Sequence, residues 1–75
     1  MDRDEQRLKM IGASIKRKRE ESGYSQKLVA EHLVITEKTY SEYERGKTAP
    51  GILRLIEIAE YFECGLDELL VGISP

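Results

Sequence analysis

The sequence predicts an all-α protein of five short helices with a helix-turn-helix at its centre. Apolar residues recur at spacings of three and four, which is the helical period. Glycine and proline interrupt this pattern between the predicted helices, and only a short link joins the second helix to the third. A chain of 75 residues has room for one domain, so we assign residues 1–75 to a single one.

The first two helices are defined by their apolar spacing and by the residues at their ends. Leu8, Ile11 and Ile15 line one face of the first helix, and Gly23 suits a left-handed residue after its end. We expect residues 1–7 to form an N-terminal extension that can fray. Ser25 is a good N-cap for the second helix, because its hydroxyl can accept from a free backbone amide. The inner face of the second helix consists of Val29, Ala30 and Leu33.

The remaining three helices follow from the same rules. Thr36 is the predicted N-cap of the third helix, which Gly46 ends. After a loop that contains Pro50, a fourth helix runs over about residues 52–62 and a fifth over about residues 66–71. The predicted inner faces of the third and fourth helices consist of Tyr40, Tyr43, Leu55, Ile58, Ala59 and Phe62, and the apolar residues of the fifth helix are Leu66, Leu69 and Leu70.

The short link after Leu33 is typical of a helix-turn-helix, here at about residues 26–45. Such a turn holds two helices at a steep angle, so the second helix can project from the surface. Ala30 lies where the two helices cross most closely, which requires a small side chain. The outer face of the third helix is left to solvent or to a partner.

The net charge of −2 is divided unevenly along the chain. Residues 7–19 contain six basic residues and no acidic one, whereas residues 48–75 contain one basic residue and five acidic ones. A basic run is either a solvated helix face or a footprint for phosphate groups, and composition alone leaves both readings open.

The chain contains too few candidate catalytic residues for an enzyme. Cys64 is the single cysteine, so no disulfide can form within the chain, and a free thiol fits a reducing, cytoplasmic compartment. His32 is the single histidine and makes neither a catalytic triad nor a metal site. We therefore predict no catalytic residue, no metal and no cofactor. No apolar run approaches the ~18 residues of a membrane span, so we predict no membrane association.

Two short motifs stand in a specific order: YSQ at residues 24–26, before the second helix, and YERGK at residues 43–47, at the end of the third. Together with the apolar spacing from Ile11 to Leu70, they resemble the phage-repressor-like (Cro/repressor, XRE) helix-turn-helix family. The resemblance implies a lambda-repressor-like five-helix fold. It also implies a protein that binds double-stranded DNA, usually as a homodimer, to regulate transcription.

The resemblance also implies which residues meet DNA. Gln26 would contact a phosphate and brace the third helix, as an amide near a helix N-terminus can. Lys38 would read guanine, and Glu37 and Glu42 would accept from cytosine or repel phosphates in wrong registers. The full predicted contact set consists of Gln26, Thr36, Glu37, Lys38, Thr39, Glu42, Arg45, Lys47, Lys16 and Arg17. The alternative for each is an ordinary exposed residue.

Two further features are implied by the same resemblance. Arg19 and Glu44 would form a largely buried ion pair between the first and third helices. The turn departs from the family pattern, because Val34 stands where glycine is usual. A β-branched residue with positive φ is costly, so either Val34 is strained or the turn is rebuilt. Gly65 stands where a capping serine is common, which predicts a poorly capped fifth helix.

These features leave two alternative functions for the protein. We predict a sequence-specific DNA-binding regulator, a repressor by its resemblance, that reads the major groove with its third helix. Its dimer interface is expected near the C-terminal end, at Leu66, Leu69, Leu70, Val71 and Ile73. The rival is a protein-interaction module of the same fold, antitoxin-like or a repressor partner, that binds little DNA.

Overall fold

A computed structural model of the chain describes residues 2–70, and five α-helices lie within them. The helices are α1 (Arg3–Ser22), α2 (Gln26–Leu33), α3 (Glu37–Glu44), α4 (Ile52–Tyr61) and α5 (Leu66–Leu69). The predicted all-α class and the helix-turn-helix of α2 and α3 are confirmed. Val71 and Ile73, expected at a dimer interface, lie outside the described residues. Across residues 2–70 no helix has the length and apolar character needed to cross a membrane.

The first helix is longer at its N-terminus than the sequence pattern predicted. The backbone N–H of Asp4 donates to the Asp2 carboxylate at 3.0 Å, so Asp2 caps the helix. Asp4 and Glu5 add negative charge in the first turn, which favours the positive end of the helix dipole. The structure therefore places residues 3–7 within α1, and fraying of this first part of the helix stays a prediction.

The other helix ends follow the predicted caps in part. The hydroxyl of Ser25 accepts from the Leu28 N–H at 3.0 Å, and the hydroxyl of Thr36 accepts from the Thr39 N–H at 3.1 Å. Helix α5 is shorter than predicted and ends at Leu69. Gly65 provides no side-chain cap, and the bond at this helix start is instead from the Gly65 N–H to the carboxylate of Glu68 at 2.8 Å.

One apolar core is shared by all five helices. It contains most of the residues predicted for the inner faces, and Tyr40, Ile15, Ile58, Leu69 and Val29 are its largest fully buried side chains. Burial of apolar area of this kind provides the main favourable term in folding. The recognition of inner faces from helical spacing is thus confirmed for α2 to α4, whereas in α1 Ile15 is buried, Ile11 packs against the core in part, and Leu8 lies outside it.

The backbones of α1 and α3 cross in direct contact at Gly12. A Cβ atom placed on Gly12 would lie 2.5 Å from the carbonyl oxygens of both Tyr43 and Glu44. Real Cβ atoms do not approach an oxygen so closely, so glycine is required at this crossing. The contact fixes the inner side of α3 against α1 and leaves its opposite side outward.

The turn between α2 and α3 holds Val34 in the left-handed conformation, with φ 59° and ψ 47°. Its backbone N–H donates to the Glu31 carbonyl at 3.2 Å, and the Ile35 N–H donates to the Ala30 carbonyl at 3.0 Å. These bonds end α2 in the way that a C-terminal glycine usually does. Of the two alternatives for the turn, the structure shows the first: Val34 takes the left-handed conformation and is strained in it.

Replacing Val34 with glycine is expected to stabilise the fold by about 1 kcal/mol. Relief of left-handed strain gains about 1–2 kcal/mol, and the greater freedom of glycine in the unfolded chain offsets part of it. The side chain is 88% exposed, so its removal costs little packing. Thermal unfolding should show the melting temperature rising by several degrees. Val34→Ala is the control, because it keeps a Cβ atom; an equal rise for alanine would contradict the strain argument.

Candidate nucleic-acid interface

Helix α3 has a buried side and an outward side. Tyr40, Tyr43 and Glu44 are buried, whereas Glu37 and Lys38 are exposed in the first turn. Neither Glu37 nor Lys38 forms an ion pair or side-chain hydrogen bond with the described part of the chain. The predicted base-reading residues at the start of α3 are therefore free to meet a partner.

A charged cluster ties the inner side of α3 to its two neighbours. Arg19 Nε lies 2.6 Å from Glu44 Oε2, and a second guanidinium nitrogen lies 3.2 Å from Oε1. The same guanidinium donates to the Tyr24 carbonyl at 2.9 Å. Only 13% of the Arg19 side chain and 1% of the Glu44 side chain are exposed. The expected buried ion pair is present, and its two-point geometry fixes α3 against α1.

The environment of Glu44 favours its ionised form. Burial alone would raise the pKa of this carboxyl, but the hydrogen bonds from Arg19 and Gln26 hold the pKa below its ordinary value. The hydrogen bond to Glu44 likewise raises the pKa of Arg19. Both groups are therefore charged at neutral pH and hold each other in place.

Gln26 takes the bracing role expected of it. Its amide Nε2 donates to Glu44 Oε1 at 2.8 Å, which connects the first residue of α2 to the last residue of α3. Its carbonyl oxygen and its second amide hydrogen are not used in this bond. The hydrogen bond to Glu44 orients the Gln26 side chain. Its contact with a DNA phosphate stays a prediction.

The two threonines of the predicted set act first on the protein itself. Thr36 Oγ1 accepts from the Thr39 N–H, and its hydroxyl donates to Thr39 Oγ1 at 2.9 Å. These bonds hold the first turn of α3 rigid. Thr36 gives its hydroxyl hydrogen to Thr39, whereas the Thr39 hydroxyl keeps its own hydrogen and can still donate to a DNA phosphate, so the predicted DNA contacts of both residues stay predictions.

Glu42 also has a partner within the chain. One oxygen of its carboxylate accepts from the Thr48 hydroxyl at 3.3 Å, and its backbone carbonyl accepts from the Lys47 N–H at 2.9 Å. The residue is half-buried and anchors the loop that follows α3. This contact supports a loop-positioning role for Glu42 beside the predicted one at the bases.

The loop after α3 carries two exposed cations and packs against α1 at a residue that the sequence prediction missed. A Cβ atom on Gly46, whose φ is 70°, would lie 2.8 Å from the Cα atom of Lys9. Lys9 therefore lies beside the loop of Arg45 and Lys47, and all three are exposed. Lys9 lies three residues before Gly12, the α1 residue that touches α3. Residues three apart lie on the same side of a helix, so this spacing could have identified Lys9 as a neighbour of α3.

The two α1 residues of the predicted contact set, Lys16 and Arg17, lie at different positions around the helix. Lys16 is exposed and lies one turn beyond Gly12, on the side of α1 that meets α3. Arg17 is exposed one position further round, with its Nε 4.0 Å from Glu21. We name Lys9, Lys16, Arg45 and Lys47 the basic patch. Arg17 stays a predicted contact at the edge of this patch.

One predicted dimer residue is wrong. Leu69 is 0% exposed and packs in the core, so it has no surface to offer a partner. A helix of four residues has too little periodicity to show which of its leucines faces inward. Leu66 and Leu70 are half-buried. Among the described residues of the C-terminal half, the exposed large apolar side chains lie on α4, at Ile52, Leu53 and Ile56.

Comparison with known proteins gives a consistent result. The sequence profile that matches this chain, over residues 15–69, is described as helix-turn-helix. A curated relative is the SPbeta prophage-derived uncharacterized HTH-type transcriptional regulator YonR of Bacillus subtilis (strain 168), which is 36% identical over 63 residues. That match covers 84% of this chain and 58% of the relative, so the chain spans less than two thirds of its length.

Two solved structures are similar in fold. One is the S. venezulae BldD DNA-binding domain, with a TM-score of 0.77 and 30% identity over 87% of this chain and 97% of that one. The other is a crystal structure of the DNA-binding domain of BldD, with a TM-score of 0.79 and 29% identity over 93% of this chain and 99% of that one. The prediction from the sequence is confirmed: the chain belongs to the phage-repressor-like (XRE) helix-turn-helix family.

Proposed function

We propose that this chain is a transcriptional regulator that binds double-stranded DNA sequence-specifically by placing α3 in the major groove. The observation that carries the proposal is the orientation of α3. Its inner side is fixed by the Arg19–Glu44–Gln26 cluster, and its first turn, with Glu37 and Lys38, is exposed. Family membership and the similarity to DNA-binding domains support the same function and argue against an enzyme.

The two kinds of contact that such a protein needs are supplied by different residues. Base edges are read by exposed side chains at the start of a recognition helix, here Lys38 above all. Phosphates are held by cations and polar groups that fix the position of the helix, here the basic patch and Gln26. The basic patch is close to α3 because Lys9 packs against Gly46, so both kinds of contact can form on one duplex.

We further propose that the chain is a repressor and acts as a homodimer. A protein bound at an operator can block transcription by occupancy alone, which requires no additional activating surface. Dimer formation would use the half-buried Leu66 and Leu70 and the exposed apolar residues of α4. We treat residues 1–75 as one domain because the described helices share one core. A reducing, cytoplasmic location suits the free thiol of Cys64.

Selection from a random pool of DNA duplexes tests the proposal. The purified chain is expected to enrich a palindrome whose half-sites lie about 10 bp apart, as two α3 helices in successive major grooves require. The Lys38→Ala variant should enrich a relaxed sequence at the positions that Lys38 reads. Failure of the unmodified chain to enrich any duplex would instead favour the protein-interaction module.

A further inference from the structure

A groove between α2 and α4 lies apart from the α3 surface and combines aromatic rings with carboxylates. It is open to solvent and has a volume of about 520 Å³. None of its lining residues belongs to α3 or to the basic patch. The lining residues are Tyr24, His32, Glu57, Glu60, Tyr61 and Glu63.

The rings of the groove form a continuous stack. The rings of His32 and Tyr61 are 3.8 Å apart between centroids with 16° between their planes, and those of Tyr24 and Tyr61 are 4.8 Å apart with 23°. His32 is exposed, and the two tyrosines are half-buried. Three different segments of the chain contribute one ring each, and all three residues keep part of their surface accessible to a partner.

The charge of the groove has one sign. Three of its six lining residues are acidic, and none is a lysine or an arginine. Arg54 donates to Glu57 at 3.1 Å and also to the Leu33 carbonyl at 3.0 Å, which holds Glu57 at the edge. Glu60 and Glu63 form no ion pair within residues 2–70. Two carboxylates thus stand beside aromatic rings without a cation to balance them.

We propose that this groove binds an arginine-bearing basic segment of a partner protein. A guanidinium group packs flat on aromatic rings and donates pairs of hydrogen bonds to carboxylates, and the groove offers both surfaces together. An ammonium group of lysine lacks the planar fork and matches this arrangement less well. The volume lies within the range of about 300–1,000 Å³ found for ligand pockets, which suits a segment rather than a single ion.

The occupant follows from complementarity of charge and shape. A nucleic acid is excluded from this groove by its own negative charge, which the three glutamates would repel. Because the lining residues are separate from α3 and from the basic patch, the proposal does not depend on the proposed DNA-binding function. It assigns to the chain a second surface, through which a bound regulator would recruit a basic partner.

Binding of three matched peptides to the unmodified chain tests the proposal. The probes are fluorescein-labelled Gly/Ser peptides that carry three arginines, three lysines or three citrullines at the same positions. Fluorescence anisotropy should show the arginine peptide binding at least about tenfold more tightly than the citrulline peptide, because citrulline keeps the planar shape and loses the charge. Amide NMR shifts should change at residues 24, 32, 57 and 60–63.

Glu63 provides a variant that separates binding from folding. This residue has φ 54° at the end of α4, a position that glycine adopts without strain. Glu63→Gly is expected to raise the melting temperature and to weaken the arginine peptide severalfold. Tyr61→Leu should weaken it further, and Glu20→Gln, which alters an exposed acid on α1, should leave it unchanged.

Three results would overturn the proposal. One is equal binding of the arginine and citrulline peptides. A second is binding that the Glu63→Gly and Tyr61→Leu variants retain in full, which would place the peptide elsewhere. The third is self-association of the chain, measured by sedimentation, that Glu63→Gly abolishes; a second copy would then be the occupant.

Discussion

Replacing Glu44 with alanine is expected to destabilise the fold by about 3–5 kcal/mol. The substitution leaves Arg19, whose side chain is only 13% exposed in the unmodified protein, with no carboxylate to balance its charge. It also removes the acceptor for the Gln26 amide. Because the cluster joins α1, α2 and α3, loss of its hydrogen bonds weakens the contacts that orient α3.

Thermal unfolding measures this effect directly. For a domain of this size, about 1 kcal/mol corresponds to about 4–8 °C, so the melting temperature should fall by more than about 10 °C. Glu21→Ala is the control, because the pairs of Glu21 with Arg17 and Lys18 are partly exposed and such pairs contribute about 1 kcal/mol or less. A Glu44→Ala variant with the same melting temperature as the unmodified protein would contradict the structural role of the pair.

The same pair gives a defined pH dependence. In the folded protein the pKa of Glu44 lies below its ordinary value of 4.5. Its ionised form therefore stabilises the fold above the unfolded-state pKa, and this stabilisation is lost as the pH falls through the folded-state pKa. Glu44→Gln should be less stable than the unmodified chain at pH 7, with a difference that shrinks below pH 4.5. A difference that stays constant with pH would show that charge is not the cause.

Local signals explain what the sequence could predict. The apolar spacing located the inner faces of α2 to α4 and the buried Ile15 of α1. Ser25 and Thr36 marked the starts of α2 and α3 because each hydroxyl caps its own helix. The ion pair of Arg19 and Glu44 came from the family resemblance, since nothing local connects residues 25 positions apart. Fold class and turn position therefore follow from residues that are neighbours along the chain.

The errors and omissions have physical causes of two kinds. At the ends of the chain, Asp2 acts as an N-cap without an apolar repeat beside it, and α5 is too short for its spacing to separate Leu66 from Leu69. At the candidate site, the partners are distant in sequence. The contact of Lys9 with Gly46 depends on how α1 crosses α3, and the bond from Thr48 to Glu42 depends on how the loop folds back.

Binding to an operator duplex is expected to weaken steeply with salt. Four cations of the basic patch on each of two protomers would release about eight counterions from DNA. Contacts in this number lower the affinity by about 10³–10⁵ between 50 and 200 mM salt. Fluorescence anisotropy at a series of salt concentrations gives the slope of log K against log salt.

Single variants then separate phosphate contacts from base contacts. Lys9→Ala should weaken binding to all duplexes alike and reduce the slope by about 0.9 for each protomer. Lys38→Ala should instead cost about 1–3 kcal/mol on the preferred sequence and relax its preference. Lys18→Ala is the matched control, because the ammonium of Lys18 already lies 2.8 Å from Glu68 and is not part of the basic patch.

The Lys9 variant is the sharper test because its place in the interface rests on packing alone. Lys9 reaches the loop of Arg45 and Lys47 through the contact of its backbone with Gly46, so its ammonium faces phosphate only if that loop does. An unchanged salt slope for Lys9→Ala, with a normal melting temperature, would mean that the duplex does not contact this side of α1. Equal loss of slope in Lys9→Ala and Lys18→Ala would mean that general charge, rather than the basic patch, holds the duplex.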